Sequence, residues 1–143
     1  MMYSIGEVAN ATNLAISTLR YYDREGLFPN IQRSNGGIRV FSGIEVNAIR
    51  VIDCLKASGM SIKAIKQFLD WCQEGDNTLP LRRDMFHERL QEVMQQMAEL
   101  QNTMNTLKYK CWYYDTAMKD GTEENMKKLK DEDIPDELRG YKV

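Results

Sequence analysis

Ser17-Thr18-Leu19-Arg20-Tyr21-Tyr22-Asp23-Arg24-Glu25-Gly26-Leu27 is the stretch on which the reading of this 143-residue chain turns. Ser17 is placed to cap a short helix from Thr18 to Glu25, because a hydroxyl accepts from a free amide at a helix start. Gly26 ends that helix, since glycine adopts the left-handed conformation at a helix exit. Hydroxyls at the helix start, then Arg20, Tyr21, Tyr22 and Arg24, offer donors to phosphate oxygens and to base edges in a major groove. Toward the amino terminus, Ser4 and Glu7 have capping-box spacing ahead of Ile5, Val8 and Ala9, so a first short helix runs to about Thr12-Asn13. Two short helices joined by a few residues make a helix-turn-helix.

Beyond Leu27, Ile31-Gln32-Arg33 and Ile38-Arg39-Val40-Phe41 flank Ser34-Asn35-Gly36-Gly37. Short β-prone segments around an Asn-Gly-Gly turn predict a small hairpin, the shape of a wing. Ser42 opens a third helix through about Ala57, with Ile44, Ala48, Val51, Ile52 and Leu55 at helical spacing and Ser58-Gly59 as its stop. Ser61 opens a fourth to about Glu74, with Ile62, Ile65, Phe68, Leu69 and Cys72 on one face, and Gly75-Asp76-Asn77-Thr78 then reads as a linker.

The strongest periodicity follows. Phe86, Leu90, Val93, Met97, Leu100, Met104, Leu107, Cys111, Tyr114 and Met118 alternate in steps of four and three, an unbroken a/d seam. Such a helix is on the order of 50 Å long, too long to bury its seam on a head of about 75 residues, so a second copy is the expected partner. From Lys119 to Val143 the chain becomes a charged tail, with a short helix over 122–130 and a mobile last dozen residues expected from its few apolar groups. The expected organisation is therefore a mainly α chain: a winged helix-turn-helix head over 1–75, a coiled-coil dimerisation helix over 79–118 and a tail over 119–143.

Charge supports a division of labour. The net charge is -2, but residues 1–70 carry 8 basic and 6 acidic side chains, whereas residues 71–143 carry 11 and 15. The amino-terminal half is the basic half, the sign that nucleic acid attracts. No apolar run is long enough to span a bilayer and the first ten residues lack a secretory pattern, so the chain reads as cytoplasmic, with no membrane partner. Cys54, Cys72 and Cys111 are widely spaced, without a Cys/His cluster, so neither a disulfide scaffold nor a metal site is expected. Cys72 and Cys111, on apolar faces, read as core, and His87, the one histidine, as a solvated helix position. With no phosphate-binding glycine loop and no nucleophile-base pair, no enzyme and no cofactor are expected. Met94, Met97, Met104 and Met118 with Trp112, Tyr113 and Tyr114 read as core or as an adaptable small-molecule pocket. Two classes stay open at this point: a sequence-specific DNA-binding regulator, and a coiled-coil assembly protein that uses the head for docking.

The sequence resembles the MerR (mercury-resistance-regulator) family of bacterial transcription factors over about residues 1–118. The likeness rests on Ser4-Ile5-Gly6-Glu7-Val8-Ala9, on Leu19 to Leu27, on Gly37-Ile38-Arg39-Val40-Phe41 and on Gly59-Met60-Ser61-Ile62, in that order. The resemblance implies an antiparallel homodimer that binds a palindromic operator in double-stranded promoter DNA. By bending and underwinding an over-long promoter spacer it would act on RNA polymerase indirectly, through the DNA, to activate or repress. It implies that Ser17, Thr18, Arg20, Tyr21 and Tyr22 serve the recognition helix, Arg33 and Arg39 the wing, and Ser61 and Lys63 flanking phosphate. Only 25 residues follow Met118, too few for the large ligand domain of multidrug-sensing relatives. Cysteines at the positions used by metal-sensing relatives are absent from Leu79-Pro80-Leu81 and from Lys119 to Val143. Cys54 resembles the lone third-helix cysteine of the thiol-sensing branch. Arg50 and Lys56 nearby favour a thiolate and Asp53 opposes it; a small buried residue is the other reading of Cys54.

Overall fold

The computed structural model describes residues 1–143 and divides them into two compact units, Met1–Leu90 and Gln91–Val143. In the first unit, α1 (Ile5–Thr12) begins with the capping box foreseen: the Glu7 amide donates to Ser4 Oγ at 3.2 Å and the Ser4 amide to the Glu7 carboxylate at 2.8 Å. It ends at Asn13, in the left-handed conformation. Three residues later α2 (Ile16–Arg24) starts from Ala15, whose carbonyl accepts from the Thr18 and Leu19 amides. Ser17 is therefore inside the first turn and not the cap. The phase that buries Leu19 and Tyr22 starts the helix earlier than the hydroxyl pattern implied.

The exit of α2 follows its glycine. The Leu27 amide donates to Tyr22 O and the Gly26 amide to Asp23 O, both at 3.0 Å, the paired bonds of a Schellman motif. Gly26 has φ +80°, the left-handed conformation that makes the position favour glycine. The chain then forms β2 (Gln32–Arg33) and β3 (Arg39–Ser42), antiparallel with Gln32 opposite Val40 and Arg33 opposite Arg39. The expected wing is present, closed by bonds between Ser34 and Ile38 and between Gly37 and Ser34. A strand the pattern did not reveal, β1 (Met2–Tyr3), pairs with the other edge of β3, giving the order β1-β3-β2.

Ser42 caps α3 (Gly43–Ala57), as expected, but the inward face differs from the one read in sequence. Glu45, Ile49, Ile52 and Leu55 are buried, while Ile44 is 77% exposed and Val51 faces outward. The cap explains the shift: the Glu45 carboxylate turns back to accept from the Ser42 amide, which carries Glu45 inward and Ile44 out. Gly59, at φ +92°, closes α3 with a second Schellman pair, Met60 to Leu55 and Gly59 to Lys56. Ser61 caps α4 (Ile62–Glu74), which buries Ile65 and Phe68 but leaves Cys72 exposed, against the core reading. Residues 75–78 form a locked corner where a linker was expected. Buried Thr78 donates to the Trp71 carbonyl at 2.6 Å, and Arg82 bonds Thr78 Oγ1 and Gly75 O.

Val8, Leu19, Tyr22, Phe41, Ile52 and Ile65 lie at the centre of the head core, with Phe28 edge-to-face on Phe41. The start of α5 (Leu79–Asp120) joins it through Met85, and Phe86 stacks edge-to-face on Phe68 at 5.2 Å.

In the second unit the tail is folded, which corrects the expectation of a mobile end. After α6 (Glu124–Lys127) come short 3-10 helices over Asp131–Asp133 and Asp136–Tyr141, and Ile134 and Leu138 are buried against Tyr109. Trp112, Tyr113, Leu129 and Tyr141 surround that cluster. The tail alone has too little apolar surface to offset its ordering entropy, but the aromatic side chains of α5 supply the rest. Arg139 pins the turn by donating to Asp131 O and Ile134 O, and Lys110 reaches the Val143 carbonyl. The tail covers the Tyr109 face of α5 and leaves the seam open: Leu100 is 69% exposed and Met118 82%. Cys111, on that seam, is exposed as well. No helix is long and apolar enough to cross a membrane.

Candidate nucleic-acid interface

Helix α2 divides cleanly by its burial. Leu19 and Tyr22 anchor it in the core, and the opposite face presents Ser17, Arg20, Tyr21 and Arg24 to solvent, with Thr18 half-buried at the boundary. Nothing inside the chain hydrogen-bonds the Arg20 guanidinium or the Tyr21 hydroxyl. Tyr21, 39% exposed, keeps its ring against Tyr22 while its edge faces outward.

Tyr22 must be taken out of the surface set. It is fully buried, its hydroxyl accepts from Lys56 Nζ at 2.9 Å, and the same ammonium lies 5.3 Å from its ring centroid. Adjacent helical residues point about 100° apart, so Tyr22 falls on the Leu19 side of α2 and Tyr21 on the outward side. The bond to the Tyr22 hydroxyl raises the Lys56 pKa above its ordinary value; burial works against that rise, and the Asp53 carboxylate adds to it.

Arg33 and Arg39 both reach the wing surface, and the structure brings them together on a third residue. Asp23, near the end of α2, accepts from Arg39 Nε at 2.6 Å and from Arg33 Nη2 at 3.1 Å through one carboxylate oxygen. Arg33 Nη1 also donates to Gly37 O, which fastens it across the wing turn. Sequence reading missed Asp23 as the joint between helix and wing. A signal was available: a carboxylate at the carboxyl end of a helix opposes the helix dipole, so its position calls for nearby cations.

Ser61 and Lys63 lie apart from these contacts, Ser61 at the cap of α4 and Lys63 in its first turn. Ser61 Oγ accepts from the Ala64 amide at 3.1 Å, which leaves its own proton and the first helix amides available to an anion. Lys63 is exposed beside it. Cys54 is exposed on α3, His87 is exposed on α5, and no three His, Cys, Asp or Glu side chains gather as a metal site. In the second unit, Tyr114, Ala117, Met118 and Glu123 line an open notch.

Comparison with known proteins gives the arrangement its relatives. The family model for MerR HTH family regulatory proteins matches residues 3–71, and that for MerR, DNA binding, matches residues 46–109. An uncharacterized HTH-type transcriptional regulator of Haemophilus influenzae is 36% identical over 117 residues, which cover 82% of this chain and 87% of that protein. Among solved structures, HiNmlR is described as a MerR family regulator lacking the sensor domain, bound to promoter DNA. It matches with a TM-score of 0.76 at 34% identity, over 87% of this chain and 99% of its own. A MerR family transcriptional regulator from Bacillus thuringiensis matches with a TM-score of 0.69 at 39% identity, over 78% of this chain and 97% of its own.

Proposed function

The chain belongs to the MerR family of DNA-binding transcription regulators, and on that premise we propose that it binds a palindromic promoter operator as a homodimer. The observation that carries the reading is the outward face of α2, where Ser17, Arg20, Tyr21 and Arg24 stand clear of the core. Arg20 and Tyr21 take base edges and phosphate, Ser17 and Thr18 the phosphates at the helix start. Arg33 and Arg39 bring the wing to the backbone, and Ser61 with Lys63 holds flanking phosphate. Phosphate contacts set position and base contacts set sequence, so Arg20 is the residue on which operator choice depends most.

The homodimer is proposed because, beyond Phe86, α5 leaves most of its a/d seam in solvent, with Leu90, Met97, Leu100, Met104, Leu107 and Met118 exposed. Two antiparallel copies would bury it and hold two heads, residues 1–75, at a fixed spacing. Deforming the promoter spacer costs energy that phosphate contacts on both half-sites offset. RNA polymerase is then affected through the DNA, in the cytoplasm.

For the input signal we assign Cys54. The thiol is exposed and needs no separate sensor domain, the feature that HiNmlR is described as lacking. Reactive aldehydes or other thiol-reactive agents are its proposed inducers.

The test is fluorescence anisotropy with promoter DNA from the protein's own locus at several salt concentrations. Tight binding, at two chains per duplex, with a steep linear fall of log affinity against log salt is expected. Arg20→Ala and Tyr21→Phe should weaken it while the dimer persists; undiminished binding by both would remove the recognition-helix assignment. Absence of binding to any promoter fragment at low salt would favour the coiled-coil assembly protein. Cys54→Ser should keep DNA binding and lose the aldehyde response in a reporter strain; a retained response would make the thiol structural.

A further inference from the structure

We propose that Asp23 is a positioning residue for DNA binding: its carboxylate clamps the wing to the recognition helix and so holds Arg33 and Arg39 where phosphate can meet them. The inference rests on the DNA-binding reading above and adds a role that the outward-facing cations do not explain. Both arginines converge on one oxygen, Arg39 at 2.6 Å and Arg33 at 3.1 Å, from opposite residues of the β2-β3 pair. The Asp23 side chain is only 12% exposed, so the joint is partly shielded from solvent, where a charge-assisted bond holds better than on an open surface.

Little else ties the wing to α2. The β2-β3 pair is two residues long in β2, the turn over 34–37 is exposed, and Ile38 at its end is 64% exposed. Phe41 anchors the base of β3 in the core, but from Gln32 to Ile38 the hairpin buries no side chain, so the ion cluster is what ties its outer part to α2. The location of Asp23 adds weight, because a carboxylate in the last turn of α2 faces the negative end of the helix dipole. Two guanidiniums offset that cost. The cluster keeps a net charge of +1, and both guanidiniums retain donors not used on Asp23, so the clamp orients the cations without consuming them.

This arrangement makes a prediction opposite in sign to simple electrostatics. Removing a negative charge beside DNA should tighten binding if charge alone matters. If Asp23 positions the wing, Asp23→Asn should weaken binding about tenfold, the scale of one charge-assisted contact, despite the more favourable charge. The experiment compares full-length wild type, Asp23→Asn and Asp23→Glu on the same promoter duplex by anisotropy and by hydroxyl-radical footprinting. Expected are a weakened Asp23→Asn with protection lost at the outer, wing-contacted flanks and kept in the centre, and partial rescue by Asp23→Glu. In an Arg33→Ala, Arg39→Ala background, Asp23→Asn should cost nothing further. Equal or tighter binding by Asp23→Asn with an unchanged footprint overturns the clamp, as does an undiminished loss in the double-arginine background. If Asp23→Asn does not fold, Arg39→Gln breaks the same joint from the wing side, and intact flank protection in that variant overturns the clamp. If wild type itself fails to bind, it is the DNA-binding reading that falls.

Discussion

The two compact units satisfy their apolar side chains in different ways. Met1–Leu90 buries Val8, Leu19, Phe41, Ile52 and Ile65 within one chain, and every short element there is stopped by a cap or a glycine turn. Gln91–Val143 buries only one side of its long helix, under Ile134 and Leu138, and leaves Met97, Leu100, Leu107 and Met118 in solvent. A globular head can close its core locally because its helices cross. A single long helix cannot, since an a/d stripe has no way to fold back on itself. The difference separates a head of the DNA-binding family's kind from a helix whose open seam is where the proposed second copy would pair.

The contrast breaks most sharply at the seam. Leu100→Asp puts a carboxylate at the middle of the stripe, and the expected outcome is a monomer with operator affinity down by about a hundredfold or more. Sedimentation equilibrium and anisotropy check it, and a variant that stays dimeric would end the coiled-coil reading. Inside the head the effect should be on folding and not on assembly: Ile52→Ala should cost about 2–5 kcal/mol in denaturant unfolding. A loss below about 1 kcal/mol would mean that the head core is less tightly packed than its burial indicates. At the tail, Ile134→Ala should cost about 2 kcal/mol, at the low end of such truncations, and confine it to the second unit. Hydrogen exchange should speed up over 124–141 while the molecular mass stays the same; faster exchange in the head would contradict the division into two units. The finest test is the tyrosine pair. Tyr22→Phe removes the Lys56 bond and should lower stability by about 1 kcal/mol with operator affinity nearly intact. Tyr21→Phe should do the reverse, and identical behaviour of the two would erase the inside-outside assignment.

Much of the head was legible because its signals are local. The Ser4-Glu7 and Ser42-Glu45 capping boxes, the exits at Gly26 and Gly59 and the Asn-Gly-Gly wing turn are set by contacts within a few residues. The errors have two physical causes, a cap that turns a polar side chain inward and partners that lie far along the chain. The inward face of α3 was misread at Ile44 because a polar Glu45 goes inward with the cap. Tyr22 was placed on the surface because the core that buries it, and Lys56 that bonds its hydroxyl from thirty-four residues away, come from later segments. The tail was expected to be mobile because its apolar partners, Tyr109, Trp112 and Tyr113, belong to another element. In the candidate interface, Arg20 and Tyr21 could be chosen from the motif, whereas the junction at Asp23 required the wing and helix to be seen together.

The sequence by itself determined that four helices make the head and where three of them start, that a wing follows the helix pair, that a seam runs from Phe86 to Met118, and to which family the pattern is similar. Those features arise from caps, turns and periodicity, whose energies come from neighbours three or four residues apart. Only the tertiary structure decided which tyrosine of α2 faces outward, that Arg33 and Arg39 share one carboxylate, and that the last twenty residues fold onto α5. Each of these is a choice between surfaces, and a surface exists only once distant segments have packed and excluded water from one side of a helix.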